Sequence, residues 1–181
     1  MHATSDDAAA RIATLEAENA ALRARLRALE EAAGIAAEQF VAELVGGVLT
    51  TGSAFHDITA PDGTRFEVKF SRLSIPMKTS NSRRWSWGHP LGSNGAKQFD
   101  RLILVAEPDP RFRHLYREPE SPYVLFDIPF ESVLQVMRKD HLIQITTSPS
   151  RTFGETAKTA NTLFQQFHVT SSQLREHYNK A

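Results

Sequence analysis

Two acidic residues and a lysine lie close together on a stretch of this chain that is predicted to be a β-hairpin. Asp57 stands at the start of a short apolar-alternating run, and Glu67 and Lys69 belong to a second run, Arg65 to Ser71. Between the runs, Pro61 to Gly63 is typical of a turn, because proline presets one dihedral and glycine accepts a positive φ. Alternate strand residues share a face, so Glu67 and Lys69 are predicted to lie side by side.

Two carboxylates and an ammonium group in this arrangement indicate metal-assisted hydrolysis. Mg²⁺ takes oxygen ligands, usually one or two carboxylates with water and substrate phosphate, and a lysine beside them can orient an attacking water. The competing interpretation is a solvated charge pair on an amphipathic strand, which short patterns of this kind often form by chance.

The order Asp57, then Glu67-Val68-Lys69, resembles the acid plus E-x-K signature of the PD-(D/E)XK nuclease superfamily. The resemblance implies an α/β fold with a restriction-endonuclease-like mixed β-sheet flanked by helices. It also implies Mg²⁺-dependent hydrolysis of DNA phosphodiester bonds, with Mn²⁺ as a substitute. Asp57, Glu67 and the carbonyl of Val68 would then hold the metal, and Lys69 would position the attacking water.

Several neighbouring residues are candidates for an extended site. In the resembled fold the helix before the hairpin sometimes supplies another acid, which here would be Glu43 or Glu38. His56 adjoins Asp57, and Gln98 stands with Lys97 at the start of the next predicted strand. The alternative for each is an ordinary structural role, as a solvent-facing charge or a packing residue.

The segment Leu73 to Lys97 is predicted to be an irregular loop that contacts DNA. It is rich in Pro, Ser, Asn and Gly and contains basic residues but no acidic one, and Trp85 and Trp87 are interleaved with them. Basic side chains meet phosphates, and exposed aromatic rings stack on bases. The predicted nucleic-acid contacts are Arg72, Lys78, Arg83, Arg84, Trp85, Trp87 and Lys97. In the alternative interpretation the two tryptophans fold back onto the core.

Residues 6–33 contain strong helix formers and neither proline nor glycine, and their apolar residues follow a heptad spacing. The a positions are Ile12, Asn19, Leu26 and Ala33, and the d positions are Leu15, Leu22 and Leu29. In a parallel pair of helices the g and e residues are opposite in charge: Arg11 with Glu16, Glu18 with Arg23, and Arg25 with Glu30. The pattern predicts a parallel homodimer. A single helix packed on its own domain, an antiparallel pair and a tetramer are the alternatives.

Gly34 is predicted to end this coiled coil, which gives a dimerisation helix at residues 1–33 and an α/β domain at residues 34–181. A second helix, Ile35 to Val45, is expected to end at Gly46-Gly47. Leu102 to Ala106 is predicted as a buried central strand, and Leu142 to Thr147 as a strand that pairs with Tyr123 to Ile128. Helices are predicted at Glu131 to Lys139, Ala157 to Phe167 and Gln173 to Tyr178.

Composition narrows the functional classes. The formal net charge is zero, so any nucleic-acid binding must come from local clusters rather than from the overall field. The absence of cysteine excludes disulfides, thiolate zinc sites and cysteine nucleophiles, and no signal sequence or membrane-length apolar run is present. A cytoplasmic protein with no membrane partner is predicted.

The leading hypothesis is a Mg²⁺-dependent deoxyribonuclease, an endonuclease linked as a dimer by the coiled coil, with DNA as its partner. The first alternative is a catalytically inactive DNA-binding or adaptor module with the same fold. The second is an oligomerisation scaffold, in which the coiled coil is the function and Glu67 and Lys69 form an exposed pair.

Overall fold

The computed structural model describes residues 3–51, 55–75, 83–92, 95–147 and 165–179. It divides the chain into two compact units, Met1–Ala36 and Ala37–Ala181. The chain has a mixed α/β architecture with a long N-terminal helix and a mostly antiparallel main sheet. Among the described residues, no helix is both long and apolar enough to cross a bilayer. Residues 157–164 of one predicted helix lie outside the described ranges, and residues 165–167 are helical.

The N-terminal helix, α1, runs without interruption from Ala3 to Val45. The predicted break at Gly34 is therefore wrong. A single glycine costs a helix only about 1 kcal/mol relative to alanine, and the strong helix formers on both sides outweigh that cost. The end of α1 is as predicted, because Gly46 follows it with φ +63°.

Residues 7–32 of α1 are all exposed, including the predicted heptad positions from Ile12 to Leu29, and Ala33 is partly buried. The apolar side chains of this stripe are Ile12, Leu15, Leu22, Leu26 and Leu29. The Asn19 side chain donates a hydrogen bond to the carbonyl of Leu15, one turn earlier. Within the first unit the helix therefore presents its heptad stripe to solvent.

Eight strands form two sheets in the described residues. In chain order they are β1 (Val48–Leu49), β2 (Ile58–Thr59), β3 (Arg65–Ser71), β4 (Arg83–Gly88), β5 (Arg101–Ala106), β6 (Val124–Pro129), β7 (Leu142–Thr147) and β8 (His168–Val169). The main sheet has the order β1-β2-β3-β5-β6-β8, and β4 pairs with β7 in a two-stranded sheet. Of the pairs formed by these eight strands, β3–β5 is parallel and the others are antiparallel.

The predicted hairpin and central strand are confirmed. β2 and β3 pair antiparallel across the Pro61–Gly63 turn, where Gly63 has φ +87° and the Asp62 side chain accepts a hydrogen bond from the Thr64 amide. β5 lies between β3 and β6, and Leu102 to Ala106 are completely or almost completely buried. β3 and β5 therefore form the middle of the main sheet.

Two predictions about the remaining strands are wrong. The segment Leu73 to Lys97 is not irregular throughout, because it contains β4. The partner of β7 is β4 rather than Tyr123 to Ile128, since β6 is already paired on both edges, with β5 and with β8. No helix lies between β3 and β5 in the described part of that connection, where β4 is found instead.

Each face of the main sheet has its own apolar core. One face packs against residues 37–45 of α1 and against the C-terminal helix α3, Ser171–Tyr178. The other face packs against β4, β7 and the short helix α2, Phe130–Val136. α3 begins two residues before the predicted start at Gln173 and ends at Tyr178 as predicted, and Thr170 caps it in a capping box with Gln173. Both faces of the sheet therefore contribute to an apolar core.

Candidate active site

Asp57 lies on the edge of β3 beside Val68. β2 pairs with Arg65 and Phe66, the first two residues of β3. The next part of this edge of β3 is therefore bordered by the residues that precede β2. The Asp57 amide donates to the carbonyl of Phe66 (2.8 Å), and the Val68 amide donates to Asp57 Oδ2 (2.8 Å). The amide and carbonyl of one strand residue point to the same side. The Val68 carbonyl therefore faces the edge at which Asp57 lies.

Glu67 and Lys69 lie on one face of β3, as the alternation predicted. Lys69 Nζ is 2.6 Å from Glu67 Oε1. The neighbouring residues Phe66 and Val68 point into the core on the opposite face. A fourth group, Lys97, reaches the same place from the segment before β5, with Nζ 2.8 Å from Glu67 Oε2 and 3.2 Å from Asp57 Oδ1. Two carboxylates and two ammonium groups thus form one cluster.

The Glu67 carboxylate is buried without an aligned hydrogen-bond donor. Its side chain is 0% exposed, and neither Oε1 nor Oε2 has a hydrogen bond of acceptable geometry although both ammonium groups are close. Burial raises the pKa of Glu67, Lys69 opposes this shift, and the charge of Asp57 adds to it. The two lysines therefore compensate the buried charge only in part.

The two lysines differ in what they contact. Lys69 meets Glu67 alone, whereas Lys97 bridges both acids. Burial by itself would lower the pKa of Lys97, but its close contact with the Glu67 carboxylate and the charges of Asp57 and Glu67 outweigh burial and raise that pKa. Lys97 was predicted as a DNA contact and, with Gln98, as a neighbour of the site, and its direct contact with both acids goes beyond that prediction.

Of the two helix acids, Glu38 lies near the cluster and Glu43 does not take part. Glu43 is exposed, whereas Glu38 is partly buried between Ala37 and Val41, which are core residues. Burial raises the pKa of Glu38, and so does the nearby charge of Asp57, while Lys69 opposes the shift. The residues beside each acid do not distinguish them in the sequence, since Glu43 also lies between buried residues, Ala42 and Leu44.

His56 and Gln98 are next to the cluster without joining it. The His56 ring Nε2 lies 2.8 Å from Thr59 Oγ1, which engages the ring within the hairpin. The backbone amide of Gln98 donates a hydrogen bond to the carbonyl of Phe55 (2.9 Å), which connects the segment of Lys97 to the start of the hairpin. Gln98 and Lys97 also line a cavity of about 500 Å³, together with Arg65, Phe99, Asp100, Phe130 and Glu131.

The structure differs from the predicted DNA contacts of the segment Leu73 to Lys97 at several residues. Trp85 and Trp87 are 0% and 1% exposed, and their indole N–H groups donate to the carbonyls of Glu107 and Val105. Their role as base-stacking residues is therefore wrong, because β4 turns both rings into the core. Arg83 and Arg84 are partly buried, and Arg83 lies 3.8 Å from the buried Asp109. Arg72 is exposed, and Lys78 lies outside the described residues.

The donor set fits a hard divalent cation in part. Asp57 and Glu67 each direct an oxygen at one point, where the Lys97 ammonium lies, and oxygen ligands are those that Mg²⁺ takes. Among the described residues, no group of three or more His, Asp or Glu side chains is arranged to hold a metal ion. A cation here would have two carboxylates and would complete its shell with the Val68 carbonyl, water and substrate oxygens.

Comparison of the sequence with known proteins gives no family to which these residues can be assigned. No protein-family model matches the chain, and no curated protein is significantly similar to it. The chemistry of the site is therefore argued from the cluster itself.

Proposed function

We propose that this chain is a metal-dependent phosphodiesterase that hydrolyses DNA, with its mixed sheet built as in the restriction-endonuclease-like fold. The observation that carries the proposal is the convergence of Asp57 and Glu67 from the two arms of one hairpin, with Lys69 in contact with Glu67. The buried Glu67 carboxylate supports it further, because the two ammonium groups offset its charge only in part and a divalent cation would offset it more fully.

The residues divide the chemistry among them. Asp57, Glu67 and the Val68 carbonyl hold the metal ion at the edge of β3. Mg²⁺ bound there would polarise the scissile phosphate and lower the pKa of a water. Lys69, anchored by Glu67, donates to the attacking water and offsets the charge that develops on the phosphate. Glu38 adds negative charge behind the two ligands.

DNA as the substrate rests on the resemblance of the hairpin and on the basic residues near it. Arg72 follows β3 directly and is exposed. Lys97 lines the cavity of about 500 Å³ and lies beside the acids. Cationic side chains beside a hydrolytic centre favour the binding of a polyanionic DNA backbone there. The proposed stacking on Trp85 and Trp87 is withdrawn, since both rings are buried.

The exposed heptad stripe of α1 supports a parallel homodimer through residues 6–33. Five large apolar side chains on a helix exposed all round cost free energy in water, and pairing with a second copy removes that cost. The opposite charges at g and e favour a like helix in parallel orientation. Two hydrolytic centres in one dimer would suit cleavage of both strands of a duplex.

A DNA cleavage assay tests the proposed function. Supercoiled, linear and single-stranded DNA would be incubated with native chain and Mg²⁺ or Mn²⁺, and then with Asp57→Asn and Lys69→Ala. We expect metal-dependent cleavage that falls about 100-fold or more in both variants. Asp62→Asn is the matched control, because Asp62 is an exposed acid in the turn of the same hairpin and should be replaceable without effect.

The second candidate is a DNA-binding module that does not cleave. The bridging of both acids by Lys97 favours it, because these two ion pairs compensate part of the negative charge of the carboxylates without any metal. Retention of DNA at low salt with no cleavage under any metal condition would establish this candidate and exclude the nuclease. Equal cleavage by the native chain and both site variants would exclude the hairpin as the hydrolytic centre.

A further inference from the structure

Lys97 occupies the space that the two acids would offer to a metal ion. Its Nζ lies 2.8 Å from Glu67 Oε2 and 3.2 Å from Asp57 Oδ1, so one ammonium group bridges both carboxylates. A Mg²⁺ ion shared by the same oxygens would lie about 2.1 Å from each. An ammonium and a divalent cation of like charge cannot share this space.

The contacts of Lys69 provide a contrast within the same cluster. Its Nζ lies 2.6 Å from Glu67 Oε1, the oxygen that Lys97 does not contact, and it forms no ion pair with Asp57. A cation between Asp57 and Glu67 would leave Lys69 beside its own oxygen. Only Lys97 would have to move.

Lys97 has space into which it can withdraw. Its side chain is 24% exposed and forms part of the wall of the cavity of about 500 Å³ that continues past Arg65 and Phe130. The backbone of the segment is held by the hydrogen bonds from Lys97 N to the Leu91 carbonyl and from Gln98 N to the Phe55 carbonyl. Rotation of the side chain alone can therefore take the ammonium from the acids into the cavity, with the backbone fixed.

We infer that Lys97 is a resident cation of this site, which compensates Asp57 and Glu67 in the metal-free protein and gives up its place to a divalent ion. This inference rests on the proposed function and adds a regulatory property to the same site. Lys97 sets a threshold for metal binding, because each binding event must break two ion pairs. Once displaced, the ammonium remains at the cavity wall, where it can meet a phosphate of the substrate.

Binding of Mn²⁺ alone tests the inference without any measurement of catalysis. The free Mn²⁺ signal in electron paramagnetic resonance would be titrated with native chain, Lys97→Met, Lys69→Met and Asp57→Asn, each checked for native circular dichroism. Methionine keeps the length of the side chain and removes the charge. We expect Lys97→Met to bind Mn²⁺ at least about 10-fold more tightly than native chain, and Lys69→Met to raise the affinity by clearly less, since both variants remove a repelling charge but only Lys97 lies between the two acids.

A second measurement on the unmodified chain supports or overturns the same point. Acetylation of lysines by acetic anhydride, read by mass spectrometry, would be compared with and without saturating Ca²⁺ or Mn²⁺. We expect the labelling rate of Lys97 to rise several-fold when metal is present, because its ammonium leaves two ion pairs, and that of Lys139, an exposed lysine, to stay constant.

The outcomes separate the inference from the function on which it rests. Equal Mn²⁺ affinity of native chain and Asp57→Asn would show that the acids do not form a metal site, and the proposed function would fail together with the inference. Binding that is lost in Asp57→Asn but unchanged or weakened in Lys97→Met would leave the metal site standing and would overturn the role of Lys97. A Lys97 labelling rate that metal does not alter would overturn it as well.

Discussion

The backbone amide of Val68 donates a 2.8 Å hydrogen bond to Oδ2 of Asp57, and this bond joins the start of the first hairpin arm to the middle of the second. It fixes the acid beside Glu67, the residue before Val68 in β3, and leaves Oδ1 directed at Lys97. Because the donor is a main-chain group, the position of the carboxylate depends on the register of the hairpin rather than on the side chain at position 68. The candidate site is therefore specified mainly by the Pro61–Gly63 turn.

Glu38 is expected to contribute to cleavage, whereas Glu43, on the same helix, is not. Glu38 is partly buried and is close enough to Asp57 and Glu67 for their charges to affect its pKa, and Glu43 is exposed. In Mg²⁺-dependent DNA cleavage, Glu38→Gln should lower the rate about 10-fold or more, as loss of outer groups of a metal site commonly does. Glu43→Gln should stay within about twofold of native. Equal rates for the two variants would contradict the position assigned to Glu38.

The tryptophans of β4 are expected to matter for stability and not for DNA binding. Trp85 is completely buried, and its indole N–H donates 2.8 Å to the Glu107 carbonyl. Trp85→Ala should lower the free energy of unfolding by about 3–5 kcal/mol, measured by urea denaturation. Trp85→Phe should cost less and leave DNA affinity at low salt unchanged. A loss of DNA affinity in Trp85→Phe, with an unchanged free energy of unfolding, would indicate that Trp85 stacks on DNA bases.

The oligomeric state is expected to depend on the heptad stripe of α1. Leu22 is a d position and is exposed within one chain, so a second copy is needed to bury it. Leu22→Asp should convert a dimer into a monomer in sedimentation equilibrium at micromolar concentration. Ala24→Asp, at the outward f position of the same heptad, should remain dimeric. A dimer that persists in Leu22→Asp, or a native chain that is monomeric, would contradict the coiled coil.

His168 is expected to make the fold sensitive to mild acid. Burial against Phe126, with a smaller effect from the charge of Arg117, lowers the pKa of this imidazole from 6.5 to about 4. The unfolded chain therefore binds the proton at a higher pH than the folded chain. The resulting stability is complete above pH 6.5 and is lost as the pH falls from 6.5 toward 4, by at most about 1.4 kcal/mol per pH unit and less because the ring is partly exposed.

Urea denaturation between pH 7 and pH 5 checks this dependence. The free energy of unfolding should fall with pH in the native chain and fall less steeply in His168→Gln, which carries no titratable group at that position. His114→Gln is the matched control, since His114 is exposed. An identical slope in native chain and His168→Gln would exclude His168 as the acid-sensitive group.

Features set by neighbouring residues could be predicted from the sequence. The turn chemistry of Pro61–Gly63 gave the hairpin, and the alternation along β3 placed Glu67 and Lys69 together. Helix-forming composition predicted helix on both sides of Gly34, all of it within α1. Each of these depends on backbone preferences or side-chain spacing within a few residues.

Features that depend on distant residues could not be predicted in the same way. Lys97 and Asp57 are far apart in the chain, and nothing in the spacing of either indicates that they meet. The pairing of β4 with β7 likewise depends on β6 being enclosed by two other strands. The burial of Trp85 and Trp87 follows from that pairing, so the interpretation of their segment as an open loop failed for a tertiary reason.

The central claim is that Asp57 and Glu67 form a divalent cation site that serves phosphodiester hydrolysis. Crystals of the native chain soaked in Mn²⁺ would test it most directly, through anomalous diffraction at the manganese edge. We expect a peak about 2.1–2.3 Å from an oxygen of each carboxylate and near the Val68 carbonyl. A saturating soak that gives no peak between Asp57 and Glu67, with Lys97 still bridging them, would contradict a divalent cation site at these two acids.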